Sequence, residues 1–188
     1  PDGYICANAK QARISTFPKD DPDNCLYAED VVDFARERGW YEGSDEDFSF
    51  CDTYNPLDFS GMRACESRAW DAFNTLCDGV FTFEDENGQE ISRPALDYVQ
   101  YAMGYDRSAR FPLFVKPSRK LTVKDVADAM RSHFEGTPMA MRTDIGGGGN
   151  ACPYRWRPMH FKAEGMTFCN ARAIATQQTG FWFVAQSR

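Results

Sequence analysis

Residues 111–138 read FPLFVKPSRKLTVKDVADAMRSHFEGTP, and they contain the start, body and end signals of two adjoining elements. The first seven residues form an extended run that two prolines frame. Thr122 and Asp125 then make a Thr-x-x-acid capping box, which satisfies the backbone N–H groups at a helix N-terminus. Gly136 ends the helix. An apolar stripe lies between these signals at helical spacing: Val123, Val126, Ala127, Met130 and Phe134. The stretch therefore predicts an extended segment followed by an amphipathic helix.

Three further helices are predicted upstream of this stretch. Apolar residues between 28 and 35 fall at helical spacing, acidic residues occupy the first turns, arginines occupy the last turn, and Gly39 follows. This order of charges suits the helix dipole. From Met62 to Leu76 the apolar residues recur on one face, which is typical of a second amphipathic helix. Pro94 opens a short helix that runs through Met103.

The strand-like segments lie at both ends of the chain and around one turn. Residues 4–14 alternate loosely and predict a strand. Asn87-Gly88 is a strong signal for a hairpin turn between flanking strands. The runs 166–176 and 181–186 predict a second hairpin. Together these elements predict an α+β fold in which residues 1–188 form a single unit, with strands at both ends and helices between. Because such sheets leave open edges, we expect self-association through them.

Composition excludes several classes of partner. The chain carries 28 acidic and 21 basic side chains, for a net charge of −7. A nucleic-acid interface needs a clustered basic face, so no nucleic-acid partner is expected. No stretch reaches the roughly 20 consecutive apolar residues of a membrane span, so no membrane partner is expected either. The seven cysteines contain no C-x-x-C spacing, and no metal site is predicted.

Four stretches of the chain carry a family resemblance as an ordered set. They are GYICANAKQARI (3–14), DDPDNCLYAEDVVDFARERGWY (20–41), residues 111–138, and NARAIATQQTGFWFVAQSR (170–188). In this order they resemble the dipeptidases of peptidase family C69. The resemblance covers most of the chain. It implies an αββα sandwich of the N-terminal-nucleophile (Ntn) hydrolase kind, and a cysteine-type dipeptidase that uses neither a metal nor an organic cofactor.

The resemblance also implies where the nucleophile should be. The family's nucleophile is a cysteine that becomes the mature N-terminus when a leader is removed, so that its own α-amine can act as the base. Cys6 has peptide bonds on both sides and lacks that amine. We therefore expect the nucleophile to lie upstream, in a missing N-terminal part of the same protein. The 188-residue chain is then a fragment that should not hydrolyse dipeptides alone.

Supporting roles can be assigned to two residues. The resemblance makes Asn8 a candidate oxyanion-stabilising amide, while a strand-edge Asn that bonds backbone is the alternative. Arg172 lies on the alternate face of a strand-like run, where a cation needs a partner. That partner would be a substrate carboxylate, a catalytic Asp in the missing part, or a structural salt bridge. Arg13 and Gln178 are weaker candidates.

Other functions remain open at this point. A self-contained thiol hydrolase would need a Cys with His133 or His160 and an orienting residue. His133 is predicted to lie at the exposed end of the capped helix. Pro1 as a catalytic base would require the pattern of another enzyme class, which the sequence lacks. The chief alternative is a non-catalytic binding module or a degenerate Ntn-hydrolase relative, with Phe181-Trp182-Phe183 as a contact surface.

Overall fold

The computed structural model describes residues 3–6, 23, 26–144, 146–154 and 160–187. The predictions for Asn8, for Arg13 and for most of the first strand lie outside these residues. Helices and short strands are mixed, so the α+β class is confirmed. The chain divides into two compact units, Lys10–Asp58 and Pro1–Ala9 with Phe59–Arg188. That the whole chain is one fragment of a catalytic domain stays a prediction.

The smaller unit contains two helices, α1 (Val31–Glu37) and α2 (Phe50–Tyr54). The predicted helix before Gly39 is confirmed by α1, and Gly39 has a φ of +67°, a value that glycine adopts without steric cost. The Tyr54 hydroxyl donates a 2.6 Å hydrogen bond to the carbonyl of Val31. The core of this unit consists of Val31, Ala35 and Phe48, with aromatic side chains packed around them.

The larger unit is built on a helical stretch from residue 59 to residue 76. It comprises α3 (Phe59–Gly61), a π-helical turn (Met62–Glu66) and α4 (Ser67–Leu76). The predicted amphipathic helix over 62–76 is confirmed, although the π-helical turn was not predicted. The buried face carries Trp70 and Phe73, which are both fully buried.

A hairpin and two short helical turns follow α4. Strands β2 (Val80–Glu84) and β3 (Glu90–Pro94) pair antiparallel around the predicted Asn87-Gly88 turn. A 3-10 turn (Ala95–Tyr98) then leads into α5 (Val99–Ala102), which confirms the short helix after Pro94. Ring contacts join these elements to α4, and the rings involved are Phe73, Phe81, Tyr98, Tyr101 and Phe111.

The predicted extended run before the capped helix contains strand β4 (Phe114–Val115). It pairs antiparallel with β1 (Ile5–Cys6). A single bridge between Thr82 and Lys116 connects the end of β4 to β2. The strands of the described residues thus form three two-stranded ribbons. Pairing of their open edges with another chain stays a prediction.

The capped helix begins as predicted and ends earlier than predicted. In α6 (Val123–Ala129), Asp125 N–H donates to Thr122 Oγ1 and Thr122 N–H donates to Asp125 Oδ2, so the capping box is confirmed. The placement of Phe134 in this helix was wrong. Phe134 has a φ of +64°, and its N–H donates to the Ser132 hydroxyl. Such a side-chain acceptor competes with the helical hydrogen bond and ends the helix.

The C-terminal hairpin pairs differently from the sequence prediction. Strand β5 (His160–Ala163) pairs with β6 (Met166–Cys169). The predicted pairing of 166–176 with 181–186 was wrong, and residues 170–187 form no strand. Glu164 and Gly165 have φ values of +50° and +76°, which suit a two-residue hairpin turn, so the earlier segment is β6's partner. None of the helices in the described ranges is long and apolar enough to cross a membrane.

Candidate functional site

A cavity of about 210 Å³ in the larger unit contains both of the sequence candidates that the structure describes. Arg172 and Gln178 line it, so the structure brings these two residues together. Asn8 and Arg13 lie outside the described residues, and their predicted roles stay predictions. The cavity is therefore the place from which the candidate site can be built.

The segment that carries Arg172 is extended but is not a strand. Its backbone N–H donates a 3.0 Å hydrogen bond to the carbonyl of Arg63 in the π-helical turn. Ala171 and Ala173 on either side are buried, at 5% and 1% exposure, whereas Arg172 is exposed. The predicted strand around Arg172 was wrong because this segment bonds the helical stretch and no neighbouring strand. The alternation that directs its side chain away from the core is nevertheless present.

The opposite wall contains His133, which the sequence placed on an exposed helix end. That prediction was wrong, since His133 follows the end of α6 and is only 8% exposed. Its ring meets the ring of Tyr154 edge-on with centroids 5.4 Å apart, and both residues line the cavity. Its Nε2 atom is buried and has no hydrogen-bond partner in the described part of the chain.

The loop after α6 holds His133 against Glu135. The His133 N–H donates to Glu135 Oε2 at 2.7 Å, and His133 Nδ1 lies 3.4 Å from Glu135 Oε1. Arg142 Nε lies 3.8 Å from that same oxygen. Partial burial works against ionisation of Glu135, but hydrogen bonds from backbone N–H groups, with the nearby Arg142 guanidinium, outweigh it and lower the Glu135 pKa. The Glu135 carboxylate thus lies beside Nδ1, while Nε2 has no partner among the described residues.

The backbone of this loop is strained at Phe134. A positive φ is costly for a bulky aromatic residue and persists only where the surroundings enforce it. Phe134 is fully buried, and its carbonyl accepts hydrogen bonds from the N–H and the hydroxyl of Thr137. Together with the bond of the Phe134 N–H to Ser132, these bonds hold the backbone on both sides of Phe134, next to His133.

The β5–β6 hairpin supplies the remaining wall. His160 and Cys169 are directly paired residues on the two strands, and both line the cavity. The structure therefore places one cysteine and two histidines around a single cavity. The sequence had offered a cysteine with either histidine as an alternative, without indicating which cysteine. No group of three or more His, Cys, Asp or Glu side chains in the described ranges is placed to hold a metal ion.

The charge of the cavity differs from that of the chain. The chain has a net charge of −7, yet no Asp or Glu of the described ranges lines the cavity. Arg172 is the lining residue with a permanent charge, and His133 and His160 add ring nitrogens that donate or accept hydrogen bonds. The other polar lining groups are hydroxyls and amides: Ser60, Tyr154, Asn170, Thr176, Gln177 and Gln178. This arrangement favours a small ligand that carries a negative charge.

The chain belongs to peptidase family C69, whose sequence model matches residues 1–188. A curated relative, described as "Probable dipeptidase" from Salmonella dublin, is 26% identical over 136 residues. The aligned region is 72% of this chain and 26% of the relative, so the chain spans about a quarter of that relative's length. No solved structure matches the chain. The family that the four sequence stretches indicated is confirmed.

Proposed function

We propose that this chain is part of a cysteine-type dipeptidase that hydrolyses the amide bond of dipeptides. The observation that carries the proposal is the match to peptidase family C69 along the full 188 residues, together with a relative described as a probable dipeptidase. The cavity supports it, because about 210 Å³ suits a ligand of amino-acid or dipeptide size better than a longer peptide. The finer fold that we propose for the whole catalytic domain is the αββα sandwich of Ntn hydrolases.

The proposed chemistry is acyl transfer through an N-terminal cysteine. The cysteine's own α-amine accepts the thiol proton as the sulfur attacks the dipeptide carbonyl carbon. The C–N bond breaks, the α-ammonium returns its proton to the leaving amine, and water hydrolyses the thioester. Because a thiol and an amine supply nucleophile and base, this mechanism needs no metal and no organic cofactor. The family resemblance implies a nucleophile at a mature N-terminus, and we propose that this cysteine lies upstream of the 188 residues.

The first prediction concerns the 188-residue chain alone. It should show no hydrolysis of a panel of dipeptides, because the nucleophile that we propose is not among its residues. Release of free amino acids, measured by mass spectrometry, checks this. A longer polypeptide that carries an upstream mature N-terminal cysteine is the positive control, and it should hydrolyse the same panel.

Two outcomes would contradict this proposal. Turnover by the 188-residue chain would overturn the upstream nucleophile, and loss of that turnover in Cys169→Ala would identify the cavity thiol instead. A longer polypeptide that binds dipeptides without hydrolysing them would overturn the dipeptidase and favour the non-catalytic binding module.

The second prediction concerns Asn8 in the longer, active polypeptide. We propose that its side-chain amide donates a hydrogen bond to the tetrahedral oxyanion, as the family resemblance implies. Removal of one oxyanion donor typically lowers kcat by about a hundredfold, so Asn8→Ala should do so with KM little changed. Asn24→Ala is a matched control at another Asn. A folded Asn8→Ala enzyme with native kcat would remove this role.

A further inference from the structure

We propose that the cavity between the loop after α6 and the Arg172 segment binds the carboxylate end of a small ligand, with Arg172 as its counter-charge, and that His133 Nε2 contacts a donor group of the same ligand. The choice of a dipeptide as the ligand rests on the proposed function. The carboxylate preference follows from the cavity itself.

The charge of the cavity lining favours an anion, although the chain as a whole is acidic. An acidic protein repels anions at long range, so a carboxylate site on it requires a local positive group and a lining without acidic side chains. The cavity meets both conditions, since Arg172 lines it and no described Asp or Glu does. A guanidinium presents parallel N–H donors that match the two oxygens of a carboxylate.

The Arg172 side chain is not engaged by the described residues around it. The hydrogen bond of its backbone N–H to Arg63 fixes the segment, and no described side chain accepts a bond from the guanidinium. Most arginines of this unit are engaged, as Arg119 is by Asp78 and Asp125. The guanidinium of Arg172 is therefore available at the cavity.

One ring nitrogen of His133 is buried without a hydrogen-bond partner among the described residues. A buried polar atom that lacks a hydrogen bond is costly and rare in folded proteins. Nε2 of His133 is such an atom, on a residue that lines the cavity, and Glu135 already engages the other ring nitrogen. With Nδ1–H directed to Glu135, Nε2 is an acceptor, and an N–H donor of the ligand beside the ring would satisfy it.

The cavity is small, and its lining mixes polar and apolar side chains. Besides its polar groups, the cavity presents short or flexible apolar side chains: Ala64, Met141, Pro153, Ala171, Ala173 and Ala175. Such a lining contacts a small residue without specific hydrogen bonds. The ligand class is therefore an amino acid or a dipeptide with small side chains and a free carboxylate.

Binding can be measured on the 188-residue chain without any catalysis. The probe is glycyl-L-alanine, and the matched ligand control is glycyl-L-alaninamide, which lacks the carboxylate. Titration is followed by the imidazole nitrogen shifts of His133 in NMR spectra. We expect saturable shifts with the acid and at least about tenfold weaker binding of the amide, since one charge-assisted contact is lost.

Two variants localise the contact. Arg172→Ala should weaken binding of the acid at least about tenfold and should abolish most of the preference over the amide. Arg93→Ala, which removes another exposed arginine from strand β3, should leave both affinities unchanged. Because Arg172 is exposed, its truncation should not unfold the chain, and a circular dichroism spectrum checks that.

Several results would overturn the inference: no saturable shift at His133, equal affinities for acid and amide, or native affinity in Arg172→Ala. These outcomes are distinct from failure of the proposed function. If the longer polypeptide hydrolyses dipeptides but the 188-residue chain binds acid and amide equally, only the carboxylate site is contradicted. If the chain binds the acid selectively but the longer polypeptide does not hydrolyse dipeptides, the carboxylate site stands and only the proposed dipeptidase activity is contradicted.

Discussion

Trp70→Ala should lower the free energy of unfolding of the larger unit by about 3–5 kcal/mol, the usual cost of truncating a buried aromatic side chain. Trp70 is fully buried on α4. Its Nε1–H also donates a 2.8 Å hydrogen bond to the carbonyl of Ala95, at the start of the 3-10 turn. The substitution therefore opens a cavity in the core and leaves a buried carbonyl without its donor.

Urea unfolding followed by far-ultraviolet circular dichroism measures this effect. Trp182→Ala is the matched control, because Trp182 is 38% exposed and its main described contact is the Arg131 guanidinium 5.0 Å above its ring. Its loss should cost less than about 1 kcal/mol. Trp70→Phe retains most of the volume and removes the hydrogen bond, so it should fall between the two. A Trp70→Ala loss no larger than that of Trp182→Ala would contradict the placement of Trp70 in the core.

Elements with complete local signals could be predicted from the sequence. The capping box of Thr122 and Asp125 satisfies backbone groups within four residues, so it does not depend on the rest of the fold. The Asn87-Gly88 turn and the helix before Gly39 likewise depend on a few adjacent residues. For these the structure agrees in type and differs only in exact ends.

Elements that depend on distant partners could not be predicted. The run after residue 166 alternates well enough for a strand, but alternation does not identify which segment pairs with it. The N–H of Arg172 bonds Arg63, 109 positions earlier in the sequence, and that contact draws residues 170–173 out of the sheet. The π-helical turn at Met62–Glu66 has no sequence signal that distinguishes it from α-helix.

The candidate site divides in the same way. Arg172 was found because a cation between two alanines is conspicuous in the sequence. His133 was missed because its burial follows from the loop at Phe134, where a bulky residue adopts a positive φ that the sequence argues against. The sequence signal for this loop was the order His133-Phe134-Glu135-Gly136, in which His133 and Glu135 flank Phe134 just before a glycine.

Below His133, the carboxyl of Asp71 connects the core to this loop. Asp71 lies on α4, is 1% exposed, and has one carboxylate oxygen without a hydrogen-bond partner in the described residues. Burial raises its pKa to about 6 from 3.8, the nearby charge of Glu135 adds to the increase, and a hydrogen bond with the Ser132 side chain opposes it. The same Ser132 hydroxyl oxygen accepts the Phe134 N–H. Asp71 is therefore linked through Ser132 to the strained backbone at Phe134.

The pKa of Asp71 is higher in the folded chain than in the unfolded chain, so the folded chain holds this proton more tightly. The contribution to stability is complete below pH 4, and it is lost as the pH rises through about 6. At about 1.4 kcal/mol for each step of one in pKa, the loss amounts to about 3 kcal/mol.

Asp71→Asn removes the titration while retaining the shape of the side chain. The change in free energy of unfolding between pH 4 and pH 7 should therefore differ by about 3 kcal/mol between Asp71→Asn and the native chain, with the variant losing less stability as the pH rises. Urea unfolding at a series of pH values measures the difference, and Asp97→Asn, at an exposed position, should retain the native profile. Parallel profiles for the native chain and Asp71→Asn would show that the carboxyl is charged in the folded protein. In that case, an ionised Asp71 would lie in the core next to the loop that carries His133. The hydrogen bond from Ser132 would then have to stabilise the buried charge of Asp71.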